Sequence, residues 1–305
     1  MKFSVQLPTN QVAAGQAFLG AQAIGAMARA CESAGFDAVY VTEHPFPAAD
    51  WLAAGGHHAL DPFVSLAAAA AVTERIGLHT NILVLPYRNP FLAAKAVASL
   101  DVVSGGRTIV GVAAGYLEAE YAALGADFGH RNDACDDALE AMKEAWSGAT
   151  VVRKGAGYEA TGNRMLPVPL QVPHPPLWIG GNSVRALRRV VAHGQGWSPF
   201  PAPAALRART RTAALETMDD LAAGIRRLRA LADEAGRRDA IDVNFVPFGR
   251  GMDHRRALDA AAFREQVAAY AAIGVTWLTI GMPTASPEAY TDAVAAFGEE
   301  VIAKA

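Results

Sequence analysis

The chain predicts an α/β fold, a (β/α)8 TIM barrel, on three observations. Short β-prone runs alternate with longer helical ones from one end of the sequence to the other. Eight such units fill 305 residues, the usual size of an eight-stranded barrel, whereas a doubly wound sheet more often stops at about five to seven strands. No linker-like or low-complexity segment divides the chain, so one domain over 1–305 is expected.

In order, the strands are read at Lys2–Leu7, Ala38–Thr42, Gly77–Leu83, Thr108–Val112, Leu177–Ile179, Gly196–Pro199, Asp242–Pro247 and Thr276–Ile280. Helical patterns follow them at 21–34, 61–75, 90–104, 131–147, 184–193, 217–235, 257–273 and 287–303, one after each strand. In the helix over 131–147, Leu139, Met142, Lys143 and Trp146 carry the i, i+3, i+4, i+7 spacing of an amphipathic segment, and the alanine-rich stretch 66–72 reads as a tightly packed interior helix. The fourth unit carries an insertion between strands four and five. Turn glycines at 155 and 157 separate Val151–Arg153 from Tyr158–Ala160, a hairpin laid over the barrel rim, and a proline-rich approach to the fifth strand comes after it. Residues 200–216, after the sixth strand, form a second excursion whose composition leaves room for mobility.

With 52% hydrophobic and 19% charged residues, the chain is long enough to bury a sizeable core. Net charge is −3, with no basic stripe and no run of like charges, so neither nucleic acid nor an acidic membrane surface is expected as a partner. The start, MKFSVQLPTN, has neither an apolar signal core nor a small-residue cleavage site, and a cytoplasmic location is expected. Cys31 and Cys135 each fall inside a helical pattern and read as packing residues, not as a disulfide, a metal knuckle or nucleophiles.

In such a barrel, function is built from the loops after the C-terminal ends of the strands. Gly180, Gly181, Asn182 and Ser183 run a strand directly into a helix, whose bare N–H groups suit a phosphate that the glycines let approach. An ordinary turn with an Asn or Ser cap accounts for the same residues equally well. The small residues of GVAAG, 111–115, admit a flat ligand or only a tight turn. His44, with Glu43 before it and Pro45 after it, suits a general acid/base or a cofactor contact at the barrel mouth, and equally a strand cap. His57 and His58 read as solvent-facing or as a lid, because adjacent loop histidines lack the fixed spacing of metal motifs. His79 lies within a strand whose inward or outward parity is open. No metal site is expected, and no GxSxG elbow, P-loop, GxGxxG after the first strand or glycosidase-like carboxylate pair occurs.

Five segments in order, KFSVQLP, GFDAVYVTEH, TERIGLHTNILVLPYRNPFLAAKAVASLDVVSGGRTIVGVAAGYLEAEYAALG, PPLWIGGNSVRALRRVVAHGQGW and GVTWLTIGMP, cover nearly the whole chain. Together they resemble the bacterial luciferase-like superfamily of flavin- and deazaflavin-dependent oxidoreductases, in its deazaflavin (F420)-dependent branch. The resemblance implies a cofactor at the C-terminal mouth of the barrel. It matches His44 with a histidine facing the reactive ring and Glu43 with an acidic neighbour contacting the cofactor. Thr80, Asn81 and Ile82 match the strand-three segment at the cofactor, with a cis non-proline peptide at Asn81 and Ile82 behind the ring. Ala114 and Gly115 match the turn beside the ring, and Gly180, Gly181, Asn182 and Ser183 match the phosphate cradle. One departure stands out: where sugar-phosphate-oxidising members carry a catalytic glutamate directly after the strand-four glycine, this chain has Tyr116, with Glu118 and Glu120 further on. Sugar-phosphate oxidation is therefore not expected.

Tyr116, Phe46, Trp51, Tyr87 and Trp197 suggest an apolar substrate pocket, though each aromatic equally suits the core, Trp197 above all. The expected function is transfer of hydride or oxygen through bound F420, or else FMN, to or from a small organic substrate. Other readings are an FMN monooxygenase supplied with reduced flavin by a partner reductase, a non-catalytic flavin-binding protein, and a metal-dependent barrel hydrolase using His44, His57 and His58. A homodimer is implied by the resemblance alone.

Overall fold

Ten strands occur among the described residues: β1 Lys2–Gln6, β2 Ala38–Val41, β3 Gly77–Val84, β4 Thr108–Ala113, β5 Val151–Gly155, β6 Tyr158–Asn163, β7 Leu177–Gly180, β8 Gly196–Ser198, β9 Asp242–Phe245 and β10 Trp277–Ile280. These come from a computed structural model that describes residues 1–204, 211–249 and 259–304. Eight of the strands close into a parallel barrel, β1-β2-β3-β4-β7-β8-β9-β10, with β10 returning to pair with β1. The remaining pair, β5 and β6, is the antiparallel hairpin expected in the fourth unit, extended to Gly155 and Asn163. The fold class read from the sequence is thus the one observed.

The helices are α1 Gln16–Leu19, α2 Ala21–Ser33, α3 Ala49–Ala53, α4 Pro62–Ala70, α5 Pro90–Ser104, α6 Glu118–Ala123, α7 Arg131–Trp146, α8 Val184–His193, α9 Met218–Glu234, α10 Ala260–Ile273 and α11 Pro287–Glu300. Their starts are written locally. Asp61 and Asn89 cap α4 and α5 by accepting from N–H groups of the first turn, each with a proline at the first helical position. Thr217 and Asp220 form a reciprocal capping box at α9. The helix expected over 61–75 stops at Ala70. Its last residues are drawn off because the Glu32 carboxylate on α2 accepts from the N–H groups of Glu74, Arg75 and Ile76. Residues 205–210 of the expected excursion, and 257–258 at the start of the helix expected over 257–273, lie outside the described residues.

Strand alternation divides the core into two shells. Phe3, Val39, Leu78, Val110, Leu177 and Phe245 belong to one large apolar cluster shared with the helices. Inside the barrel, Ser4, Thr279, Asn244 and Ser198 form a hydrogen-bonded ladder across β1, β10, β9 and β8, with steps of 3.3, 2.7 and 3.2 Å. His79, whose parity the sequence left open, is fully buried there, its ring 4.8 Å from Trp178 and edge-on to it. Among the described residues no helix is long and apolar enough to cross a membrane.

Candidate active site

A cavity of about 310 Å³ opens at the C-terminal ends of the strands. Its floor is made of small and apolar groups. In the second half of β3 the Asn81–Ile82 peptide is cis, in the stretch where the β3/β4 register shifts between Thr80 and Leu83. Ile82 lies over Gly180, where a Cβ would come within 2.3 Å of its Cδ1. Gly115 has φ +67°, and a Cβ there would lie 2.6 Å from Val84, so this turn beside the floor requires glycine. Tyr121 of α6 donates its hydroxyl to the Ala114 carbonyl and locks the turn in place.

Opposite the floor lies the start of α8. Ser183 caps it, accepting from the Ala186 N–H, and the remaining first-turn N–H groups have no acceptor within the helix. Asn182 does not line the cavity. Its side chain staples two loops by donating to the Phe200 and Ala213 carbonyls and accepting from the Phe200 N–H. Arg131, Asn132, Arg189, Arg211 and Thr212 complete this end. Arg189 is neutralised by Asp136 and Arg211 by Glu118, whereas Arg131 lies over the Phe128 ring at 4.0 Å and has no carboxylate partner among the described residues. This end of the cleft is electropositive.

The third wall carries the titratable groups. Glu43 is 4% exposed, with both oxygens engaged, one by the Arg88 guanidinium and one by the Val84 N–H at 2.7 Å. Burial pushes its carboxyl above the usual value, against the pull of Arg88 and the Val84 N–H. His44 lines the cleft with Trp51 tilted over it at 4.5 Å and His57 edge-on at 4.9 Å. His57 Nε2 is 3.2 Å from the Thr42 hydroxyl, and burial lowers its pKa to about 4, with His44 and His58 adding to the effect. Behind His44 stands Glu120 of α6, fully buried, accepting from the Tyr87 hydroxyl at 2.8 Å and the Phe46 N–H at 2.9 Å. Its oxygen also lies 3.4 Å from His44 Nδ1. Burial raises the Glu120 pKa, but hydrogen bonds from His44, Phe46 and Tyr87 outweigh it and hold the carboxyl below its usual value.

Of the residues singled out in the sequence, Glu43, His44, Asn81, Ile82, Ala114, Gly115, Tyr116, Gly180, Gly181 and Ser183 meet at this cavity. Thr80 lies behind the floor, its hydroxyl on the Gly111 carbonyl. Trp51 and Tyr87 reach the site only through His44 and Glu120. Phe46 is 68% exposed and joins by its backbone alone. Trp197 is 1% exposed, packed toward Gly224 of α9, with its indole N–H on the Gly181 carbonyl. Because Ser198 faces the cleft, the residue before it must face the helices, the core placement that the sequence allowed for Trp197 above the other aromatics. Sequence reasoning missed Thr42, Glu120, Arg131, Ser198 and Asn244, and it separated His57 from His44. No local motif marks Glu120, whose partners are 76, 74 and 33 positions away. Among the described residues no cluster of three or more His, Cys, Asp or Glu side chains has the arrangement to hold a metal ion.

A family model described as luciferase-like monooxygenase matches residues 1–273. The uncharacterized protein Rv0953c of Mycobacterium tuberculosis is 29% identical over 292 residues, covering 92% of each chain. Among solved structures, the monooxygenase RslO1 from Streptomyces bottropensis superposes with a TM-score of 0.77 at 21% identity, covering 100% of this chain and 99% of that one. The coenzyme F420 dependent tetrahydromethanopterin reductase from Methanopyrus kandleri gives a TM-score of 0.74 at 16% identity, covering 99% of both.

Proposed function

The chain belongs to the luciferase-like monooxygenase family and is an oxidoreductase, and on that premise we propose that it binds the deazaflavin F420 at the cleft and transfers hydride to or from a small, largely apolar organic substrate. The observation that carries the reading is one cavity with three different walls: a flat apolar floor, an electropositive end and a histidine. Ile82, Ala114, Gly115 and Gly180 fit a planar ring that needs close approach and no competing polar group. Gly181, Ser183 and the first turn of α8, with Arg131 beside them, suit a phosphate. When bound, the cofactor supplies the hydride donor or acceptor. The protein's own task is to orient, to exclude water and to handle a proton. Glu43, with both oxygens committed, holds the end of β3 against β2 and so keeps the floor in shape. His44 is the group placed to hold or move a proton, at the ring nitrogen that Glu120 does not engage. Tyr116 bounds the space left for substrate, and Trp51 backs the His44 ring.

A second reading keeps the same residues with FMN, reduced by a partner reductase, as cofactor of a monooxygenase. The description of the family model and the likeness to the Streptomyces bottropensis monooxygenase favour it. Titrating the purified chain with F420 and with FMN, followed by cofactor fluorescence, decides between them. Micromolar binding of one identifies the cofactor, and micromolar binding of neither removes both readings. Arg131→Ala is expected to weaken binding of the phosphorylated cofactor about tenfold or more while leaving riboflavin binding unchanged. Equal losses for FMN and riboflavin would take the phosphate away from Arg131. A homodimer is the expected solution state, checked by light scattering.

A further inference from the structure

We propose that Glu120 is a positioning residue that fixes His44 in one orientation and one tautomer, with the proton on Nδ1 and the Nε2 lone pair turned to the cleft. The inference rests on the acid/base reading of His44 given above and deepens it.

The argument starts from hydrogen-bond capacity. A carboxylate accepts and cannot donate, and the donors around Glu120 hold it in the ionised form. Any bond at 3.4 Å between Glu120 and Nδ1 therefore requires the hydrogen to sit on that nitrogen. The other oxygen of the carboxylate takes the Phe46 N–H, which comes from the segment directly after His44, so one buried group grips both the imidazole and the backbone that carries it. Tyr87 donates to the oxygen that faces the ring and sets the carboxylate's rotation. Trp51 lies tilted across the imidazole and His57 meets it edge-on, so two further rings pack against the orientation that Glu120 holds. Nε2 has no partner among the described residues. His44 is thereby left able to take a proton from a substrate hydroxyl or to return one to a carbonyl.

Several ionisable groups surround the His44–Glu120 pair from different elements: Tyr87 after β3 and Tyr116 after β4 lie beside Glu120 of α6, His57 before α4 lies beside His44, and Glu43 directly precedes His44 in the loop after β2. Glu120 is the one whose charge touches the ring. Loss of that carboxylate removes the acceptor that holds the hydrogen on Nδ1.

The test is histidine ¹⁵N and ¹³C NMR on the cofactor-free chain, with the His44 signal identified by its loss in His44→Asn. In the wild-type protein the neutral form is expected to show Nδ1 protonated and Nε2 bare. The opposite tautomer would overturn the proposal, and this reading needs no variant of Glu120 to fold. In Glu120→Gln, whose side-chain amide can donate as well as accept, the preference of neutral His44 for a proton on Nδ1 is expected to relax toward a mixture of tautomers. Glu120→Asp, which keeps a carboxylate acceptor but shortens the reach, should restore part of that preference. A folded Glu120→Gln protein in which His44 keeps the wild-type tautomer would also overturn the role. Because no cofactor is present in these measurements, their failure is separable from failure of the binding titration that tests the functional reading.

Discussion

His79 is fully buried inside the barrel, and neither ring nitrogen finds a hydrogen-bond partner among the described residues. Burial lowers its pKa to about 3, against an ordinary value of 6.5, so it is neutral in the folded chain. The unfolded chain takes up this proton below about pH 6.5 and the folded chain does not, so stability falls as pH falls through the window between the two values. The expected slope is about 1.4 kcal/mol per pH unit for each such histidine, and His57, with its pKa near 4, adds to it. Urea midpoints measured between pH 6.5 and 5, above the carboxylate range, should show this slope in the wild type and a smaller one in His79→Leu. Equal slopes would show that His79 is not the group responsible. Gly180 is a second residue whose substitution separates binding from folding. A Cβ there lies 2.3 Å from the end of the flexible Ile82 side chain, which lines the cleft and would have to shift. Gly180→Ala is expected to cost about 1 kcal/mol of stability and tenfold or more in cofactor affinity, read by thermal melts and by the binding titration. A variant that melts early and binds normally would contradict the floor assignment. At this scale the sequence was legible where one residue type is required by backbone geometry, as at Gly115 with its positive φ. It gave Glu120 no role beyond an acid that follows Tyr116, until the fold brings His44, Phe46 and Tyr87 around it.

The insertion between β4 and β7 is held by two groups of charge. Arg153 of β5 bonds to Asp137, Glu140 and Glu144, spaced along one face of α7, and docks the hairpin there. Asp101, fully buried in α5, accepts from the N–H groups of Leu170 and Gln171, from the Gln171 side chain and, at 3.4 Å, from the Thr108 N–H. This carboxylate is the anchor for the proline-rich approach to β7, which has no ladder of its own to satisfy its backbone. Asp101→Ala strands several buried donors and is expected to destabilise the chain by about 3 kcal/mol or more, measured by urea unfolding. A loss below about 1 kcal/mol would show that water replaces the carboxylate without difficulty. The hairpin itself was readable from its turn glycines, and the eight βα units from their periodicity. The short helix α6 was not, because six residues give too little of a 3.6-residue period to stand out. The early end of α4 depends on Glu32, some forty positions upstream, and no local pattern carries that information.

Across the whole molecule, barrel closure depends on pairing β1 with β10, and the polar ladder inside the barrel crosses that joint from Ser4 to Thr279. Residues beyond 273 fall outside the stretch matched by the family model, yet they supply β10 and the middle of the ladder. Removing them is expected to abolish the cooperative unfolding transition, checked by circular dichroism against temperature. A sharp melt in the shortened chain would mean that seven strands suffice. The order of the strands was plain in the sequence because each is followed by its own helix, but which side chains would bond across the joint was not. Asn244 and Ser198 stand on the floor side of the cleft and belong to the same ladder, so the walls of the cavity are tied through Thr279 to the meeting of first and last strands. A change at the seam of first and last strands, far from any residue of the floor, is therefore felt in the cavity wall through Asn244 and Ser198.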